Sequence, residues 1–178
     1  LKDSITRLGL IDPVLVGHSF GGKVILKACI MYPSEFQKIV LINSSGIKPR
    51  NGIKRRIFKL FSKGASKVTD LPVIKNFKDK IRYGYYRFIV REMDYLKSKD
   101  MKKTFRNIIN EDLDEHLSKI TADALIVWGE KDNITPIWMG EALHKNIRGA
   151  KLKVIEDTRH SLPLVEPLKV SELIYNYL

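Results

Sequence analysis

The sequence predicts an α/β protein built on a parallel sheet, and three observations carry that prediction. Short β-branched runs recur at Val14–Val16, Ile39–Ile42, Leu125–Trp128 and Leu152–Ile155. Each is followed by a turn signal and then by a stretch with helical periodicity. Most of these runs are apolar throughout rather than alternating, the pattern of strands covered by helices on both faces. At 178 residues and 44% hydrophobic, the chain can bury one ordinary core with room for a modest insertion, and it lacks the polar bias of a disordered protein.

The elements follow in order. The opening "LKDSITRLGL" reads as a chain beginning in mid-helix. The first strand leads into the helix "SFGGKVILKACIMY", which Pro33 ends. After the third strand comes "PIWMGEALHKNI", ended near Gly149. A last helix runs from about Glu166 to the C-terminus, with Pro167 suited to its first turn. Four strands make half of a doubly wound sheet. Residues 47–117 break the rhythm. They hold no strong strand and read as basic amphipathic helices, "IKRRIFKLFSKG", "KIRYGYYRFIVREMDYLKS" and "MKKTFRNIIN". The expected organisation is a core of residues 1–46 and 118–178, with 47–117 inserted as a helical cap over one end of the sheet.

Charge is concentrated in that insertion. The chain carries a formal +12, yet residues 48–106 hold 19 Lys or Arg against five Asp or Glu, and the remainder is slightly acidic. Such a field suits an anionic substrate or an anionic membrane surface, although a solvated basic face explains it as simply. Nucleic acid is disfavoured, because no aromatic-basic sheet platform or recognition-helix motif accompanies the charge. No apolar run approaches the roughly 18 residues of a membrane span. Cys29 is the only cysteine and falls among Ile25, Leu26 and Ile30. It is expected to be a buried structural thiol, which fits a reducing, cytoplasmic setting. The histidines lack paired spacing and one Cys makes no cluster, so no metal site is expected, and the serine chemistry read below requires no cofactor.

Gly17-His18-Ser19-Phe20-Gly21 matches G-x-S-x-G with a buried strand before it and a helix after it. The expected reason for the glycines is crowding: larger residues at both positions would clash with the adjacent strand and helix. A serine hydroxyl is a poor nucleophile until a base takes its proton. Of four histidines, His18 adjoins Ser19 and should point away from Oγ, while His116 and His144 lie in polar helical stretches. His160 follows the last strand on a loop at the edge where a strand-end serine would emerge. An imidazole also needs a carboxylate to fix its tautomer. Asp132, just past the third strand, is favoured for that place over Glu130 and Asp157. The end of the second strand, Asn43-Ser44-Ser45, offers no carboxylate.

The order Ser19, Asp132, His160, with an insertion between the strands carrying the first two, resembles an α/β-hydrolase-fold protein with a cap domain. "VGHSFGG", "IVWGEKDNITP" and "RHSLPLVEP" resemble that family's elbow, acid and histidine segments. The resemblance implies Ser19 as nucleophile, His160 as general base and acid, Asp132 as its orienter, and the Phe20 backbone N–H as half of an oxyanion hole. It also implies about four strands preceding the elbow, and a second oxyanion donor on a loop among them. The chain holds neither, so it is expected to be the C-terminal part of such a sheet, completed by a missing N-terminal segment or a complementing chain. Losing one oxyanion donor costs about 100- to 1,000-fold in turnover.

The family's cap supplies much of its substrate pocket. Tyr83, Tyr85, Tyr86 and Phe88 would suit an aromatic or acyl pocket, or cap–core packing. His18, Trp138 and Leu162 are candidate wall residues, and Arg82, Arg87 and Arg91 would suit a substrate carboxylate or form a solvated stripe. The resemblance leaves three readings: a serine hydrolase of a small ester, thioester or related carbonyl compound; a carbon–carbon bond hydrolase acting on a dioxo-acid; or a non-catalytic binding chain with a basic lid.

Overall fold

In a computed structural model of the chain, residues 1–48, 107 and 111–178 are described. Among them four strands form one sheet: β1 (Leu15–His18), β2 (Lys38–Ile42), β3 (Asp123–Gly129) and β4 (Lys151–Ile155). They lie in the order β1-β2-β3-β4 with every pair parallel. Parallel neighbours require crossovers, and those from β1 to β2 and from β3 to β4 are helical. α1 (Lys2–Arg7) precedes β1, α2 (Phe20–Met31) joins β1 to β2, and α3 (Trp138–Asn146) joins β3 to β4. After β4 come the single turn α4 (Leu162–Val165) and α5 (Pro167–Tyr175). The α/β sheet expected from the apolar runs is therefore present.

Side chains of the two central strands alternate between two cores. Ile39, Leu41, Ala124, Ile126 and Trp128 face a cluster shared with α2 and α3. Val40, Ile42, Leu125 and Val127 face a second cluster with Leu162 and Val170 of α4 and α5. This is why β2 and β3 read as continuous apolar runs: both faces are dry. The outer strands are not buried in this way. Val16 is 52% exposed and Val154 45% exposed, so apolar sequence alone overstated the coverage of β1 and β4.

One compact unit comprises Leu1–Ile47 and Asp112–Leu178; the other, Lys48–Glu111, falls almost wholly outside the described residues. The first unit resumes earlier than the expected boundary at residue 118. A 3₁₀ turn, Asp114–Lys119, explains the difference, because Leu113 and Leu117 beside and within it are fully buried in the α2 and α3 cluster. The Trp128 indole fills the space above Gly140, where an added Cβ would lie 2.8 Å from the ring, and its N–H donates to the Thr135 carbonyl at 2.8 Å. That bond ties the loop after β3 to the core beneath it.

Candidate active site

All four strands end at one edge, and the site is assembled there. Ser19 directly follows β1, Asn43 directly follows β2, Asp132 lies three residues past β3 and His160 five past β4. Register places these ends level, with His18 opposite Ile42, Ile42 opposite Val127, and Gly129 opposite Ile155.

Ser19 occupies the strand-to-helix elbow with φ 54 and ψ −115, a region that costs a residue other than glycine about 1–3 kcal/mol and persists only where the surroundings impose it. The end of β2 supplies that restraint. The Ser19 N–H donates to the Ile42 carbonyl at 3.0 Å, and the Ser45 N–H donates to the Ser19 carbonyl at 3.0 Å. The glycine requirement differs in detail from the crowding expected at both motif positions. A Cβ at Gly17 would lie 2.6 Å from Ile25 Cδ1 and 2.7 Å from the Gly21 carbonyl carbon. At Gly21 it would meet nothing within 4 Å among the described residues, whereas at Gly22 it would lie 2.6 Å from Ser44 Cβ. Close packing of helix on strand falls on the residue after the motif.

Ser19, His160 and Asp132 are brought together. The Ser19 hydroxyl donates to His160 Nε2 at 2.9 Å, and His160 Nδ1–H donates to Asp132 Oδ2 at 2.7 Å. All three are under 9% exposed. The loop after β3 wraps the carboxylate: Ile134 N–H and Thr135 N–H donate to Oδ1 at 2.7 and 2.9 Å, and the Thr135 hydroxyl donates to Oδ2 at 2.6 Å. Burial pushes the Asp132 carboxyl up, but hydrogen bonds from His160 and Thr135 outweigh it and hold the group below the ordinary carboxylate value. Phe20 is the first residue of α2, where a backbone N–H has no partner within the helix and carries the positive end of its dipole.

The other candidates are distributed differently. Glu130 and Asp157 are exposed and engaged elsewhere: Asp157 pairs with Lys131, and its N–H donates to Glu130. His116 and His144 are exposed. His18 does not reach Ser19 Oγ; its Nε2–H donates to the His160 backbone carbonyl at 2.8 Å, with the two rings 5.0 Å apart. Burial lowers the His18 imidazole below its ordinary value, against that hydrogen bond, which raises it. Trp138 is half-buried on the α2 and α3 cluster. Leu162 is corrected from wall to core, because α4 turns it under the sheet, where it is fully buried with Val40 and Val127. Tyr83, Tyr85, Tyr86, Phe88 and the arginines at 82, 87 and 91 lie outside the described residues. Cys29 is buried, and its thiol is pushed up to about 11 by that burial. Thr135 and Asn43 were not singled out from sequence as part of the site. Among the described residues no group of three His, Cys, Asp or Glu is placed to hold a metal ion.

A serine held at such an elbow, on a parallel sheet covered from both sides, marks the α/β-hydrolase fold among doubly wound sheets, and comparison with known proteins agrees. The chain belongs to the family described as serine aminopeptidase S33 (Hydrolase_4), whose model matches residues 6–167. It is 30% identical to the uncharacterized hydrolase YugF of Bacillus subtilis, over 98% of this chain and 68% of that protein. It is 25% identical to the human monoacylglycerol lipase ABHD6, over 92% of this chain and 54% of that protein. Among solved structures, an esterase from Exiguobacterium antarcticum superposes with a TM-score of 0.68 at 24% identity, covering 99% of this chain and 70% of that one. The chain thus spans little more than half the length of ABHD6 and about two thirds of YugF.

Proposed function

We propose that this chain carries the reacting groups of a serine hydrolase that cleaves a small ester, thioester or related carbonyl substrate through an acyl-enzyme. The observation that carries the reading is the unbroken relay from Ser19 Oγ through His160 to Asp132, at 2.9 and 2.7 Å. His160 Nε2 takes the serine proton as Oγ attacks the carbonyl carbon. The resulting oxyanion meets the Phe20 N–H at the start of α2, where a backbone donor stabilises charge that exists only in the transition state and intermediate. The proton on Nε2 then passes to the leaving group as its bond to carbon breaks. Water, deprotonated by the same nitrogen, releases the acyl group and restores Ser19. Asp132 stays ionised throughout, fixing the imidazole tautomer and offsetting its transient charge. The esterase and monoacylglycerol lipase among the similar proteins favour an ester carbonyl, whereas a proline iminopeptidase of Saccharolobus solfataricus, 27% identical over 93% of this chain, keeps an amide in view.

The test is intact-mass labelling with a fluorophosphonate, followed by hydrolysis of p-nitrophenyl esters of increasing acyl length beside a prolyl anilide. One label per chain, absent in Ser19→Ala, is expected. His160→Ala and Asp132→Asn should slow labelling by about a thousandfold or more. Equal labelling of the parent and Ser19→Ala would remove the serine from its proposed role, and cleavage of the anilide in preference to every ester would move the substrate class to amides.

A further inference from the structure

We propose that Asn43 is a positioning residue for this reaction, its side-chain amide latching the acid loop and the histidine loop to the end of β2. The inference rests on the triad reading above and adds to it a residue that carries no motif. Asn43 is fully buried and has a left-handed backbone, φ 43, a conformation that Asn, Asp and Gly enter most readily. Its Nδ2 donates to Asp132 Oδ2 at 2.6 Å and to the Arg159 carbonyl at 3.2 Å. Its Oδ1 accepts from the Gly129 N–H at 3.0 Å. Its own N–H donates to the Val127 carbonyl at 3.0 Å.

The destinations of those bonds are what point to positioning. A buried amide that merely plugged the end of a strand would bond to its own turn. Here one donor ends on the carboxylate itself, the other on the residue before His160, and the acceptor holds the last residue of β3. Asp132 orients the imidazole and the imidazole orients the serine, so a carboxylate freed from Asn43 would reach Ser19 as misalignment, with no change in what lines the pocket. Misplacement on the scale of an ångström costs about 100-fold in such relays.

Two substitutions separate the amide from the backbone it sits on. Asn43→Gly keeps the left-handed conformation and deletes the amide. Asn43→Asp keeps both conformation and shape but turns an acceptor toward Asp132. The 178-residue chain is followed in two ways. Fluorophosphonate labelling of Ser19 resolves a limiting rate from a half-saturating concentration, and hydrogen exchange is read over residues 130–136 and 157–161. Both variants should lower the limiting rate by about 10- to 100-fold while leaving half-saturation within about twofold. Exchange should rise in the two loops with β2 and β3 still protected. A limiting rate equal to the parent's overturns the inference, and so does exchange that rises throughout the sheet. A parent chain whose serine fails to react shows that these 178 residues alone do not make an active hydrolase. The exchange pattern then decides the latch alone, local loosening supporting it and unchanged loops overturning it.

Discussion

Gly22, rather than the second glycine of the motif, is where helix and strand approach most closely, and that distinction can be measured. Gly22→Ala drives a methyl against Ser44 and should cost about 1–3 kcal/mol, whereas Gly21→Ala meets no atom within 4 Å among the described residues and should change stability by no more than about 1 kcal/mol. Urea unfolding of the two variants checks both, and equal losses would show that the elbow relaxes around either. His18 gives a second prediction at this scale. Its folded imidazole lies below the unfolded value of about 6.5, so the unfolded chain binds more protons just under that pH. Stability is then full above pH 6.5 and falls as pH drops from there through the folded value. His18→Gln keeps an Nε2 donor for the His160 carbonyl without a titrating ring and should flatten the slope; an unchanged slope would assign it to another group. Ser19, Asp132 and His160 were legible in the sequence because each sits at a strand end next to a motif. Asn43 was not, because its partner Asp132 is 89 residues away and no local pattern records a loop-to-loop bond; Thr135 lies only three residues past Asp132, and the Asp-x-x-Thr spacing was the signal that could have found it. Leu162 was misplaced for the converse reason: nearness to His160 in sequence says nothing about which way a one-turn helix faces.

At the level of elements, all four strands were readable, the edge strands as closely as the central pair. β2 and β3 match their apolar runs to within two residues at either end. The 3₁₀ turn at Asp114–Lys119 escaped because a single turn leaves only Leu113 and Leu117 as an apolar signal, four residues apart among charges. Its weight in the fold is testable. Leu117→Ala empties a fully buried site and should cost about 2–5 kcal/mol, against less than about 0.5 kcal/mol for Leu168→Ala, a residue 84% exposed on α5. Denaturant midpoints that shift equally would mean that the turn is peripheral to the core rather than part of it.

For the molecule as a whole, charge and topology are the levers. Residues 48–106 carry the entire net positive charge, and no described helix is long and apolar enough to cross a membrane. If that segment meets an anionic surface, the chain should be retained on vesicles containing phosphatidylserine at about 0.05 M salt and released near 0.5 M, as the screening length shortens from about 14 to 4 Å. Equal retention on neutral vesicles would remove the anionic surface as a partner. Topology has a different consequence. Ser19 and His160 stand 141 residues apart along the chain, and the parallel register of the strands that carry them admits no local shortcut. Loop closure across such spans comes late in folding. Under the proposed reading, an intermediate that lacks the β3–β4 pairing would not yet hold the His160 imidazole against Ser19, and the serine would be inert until that pairing forms. Appearance of serine reactivity during refolding would serve as a clock for completion of the sheet.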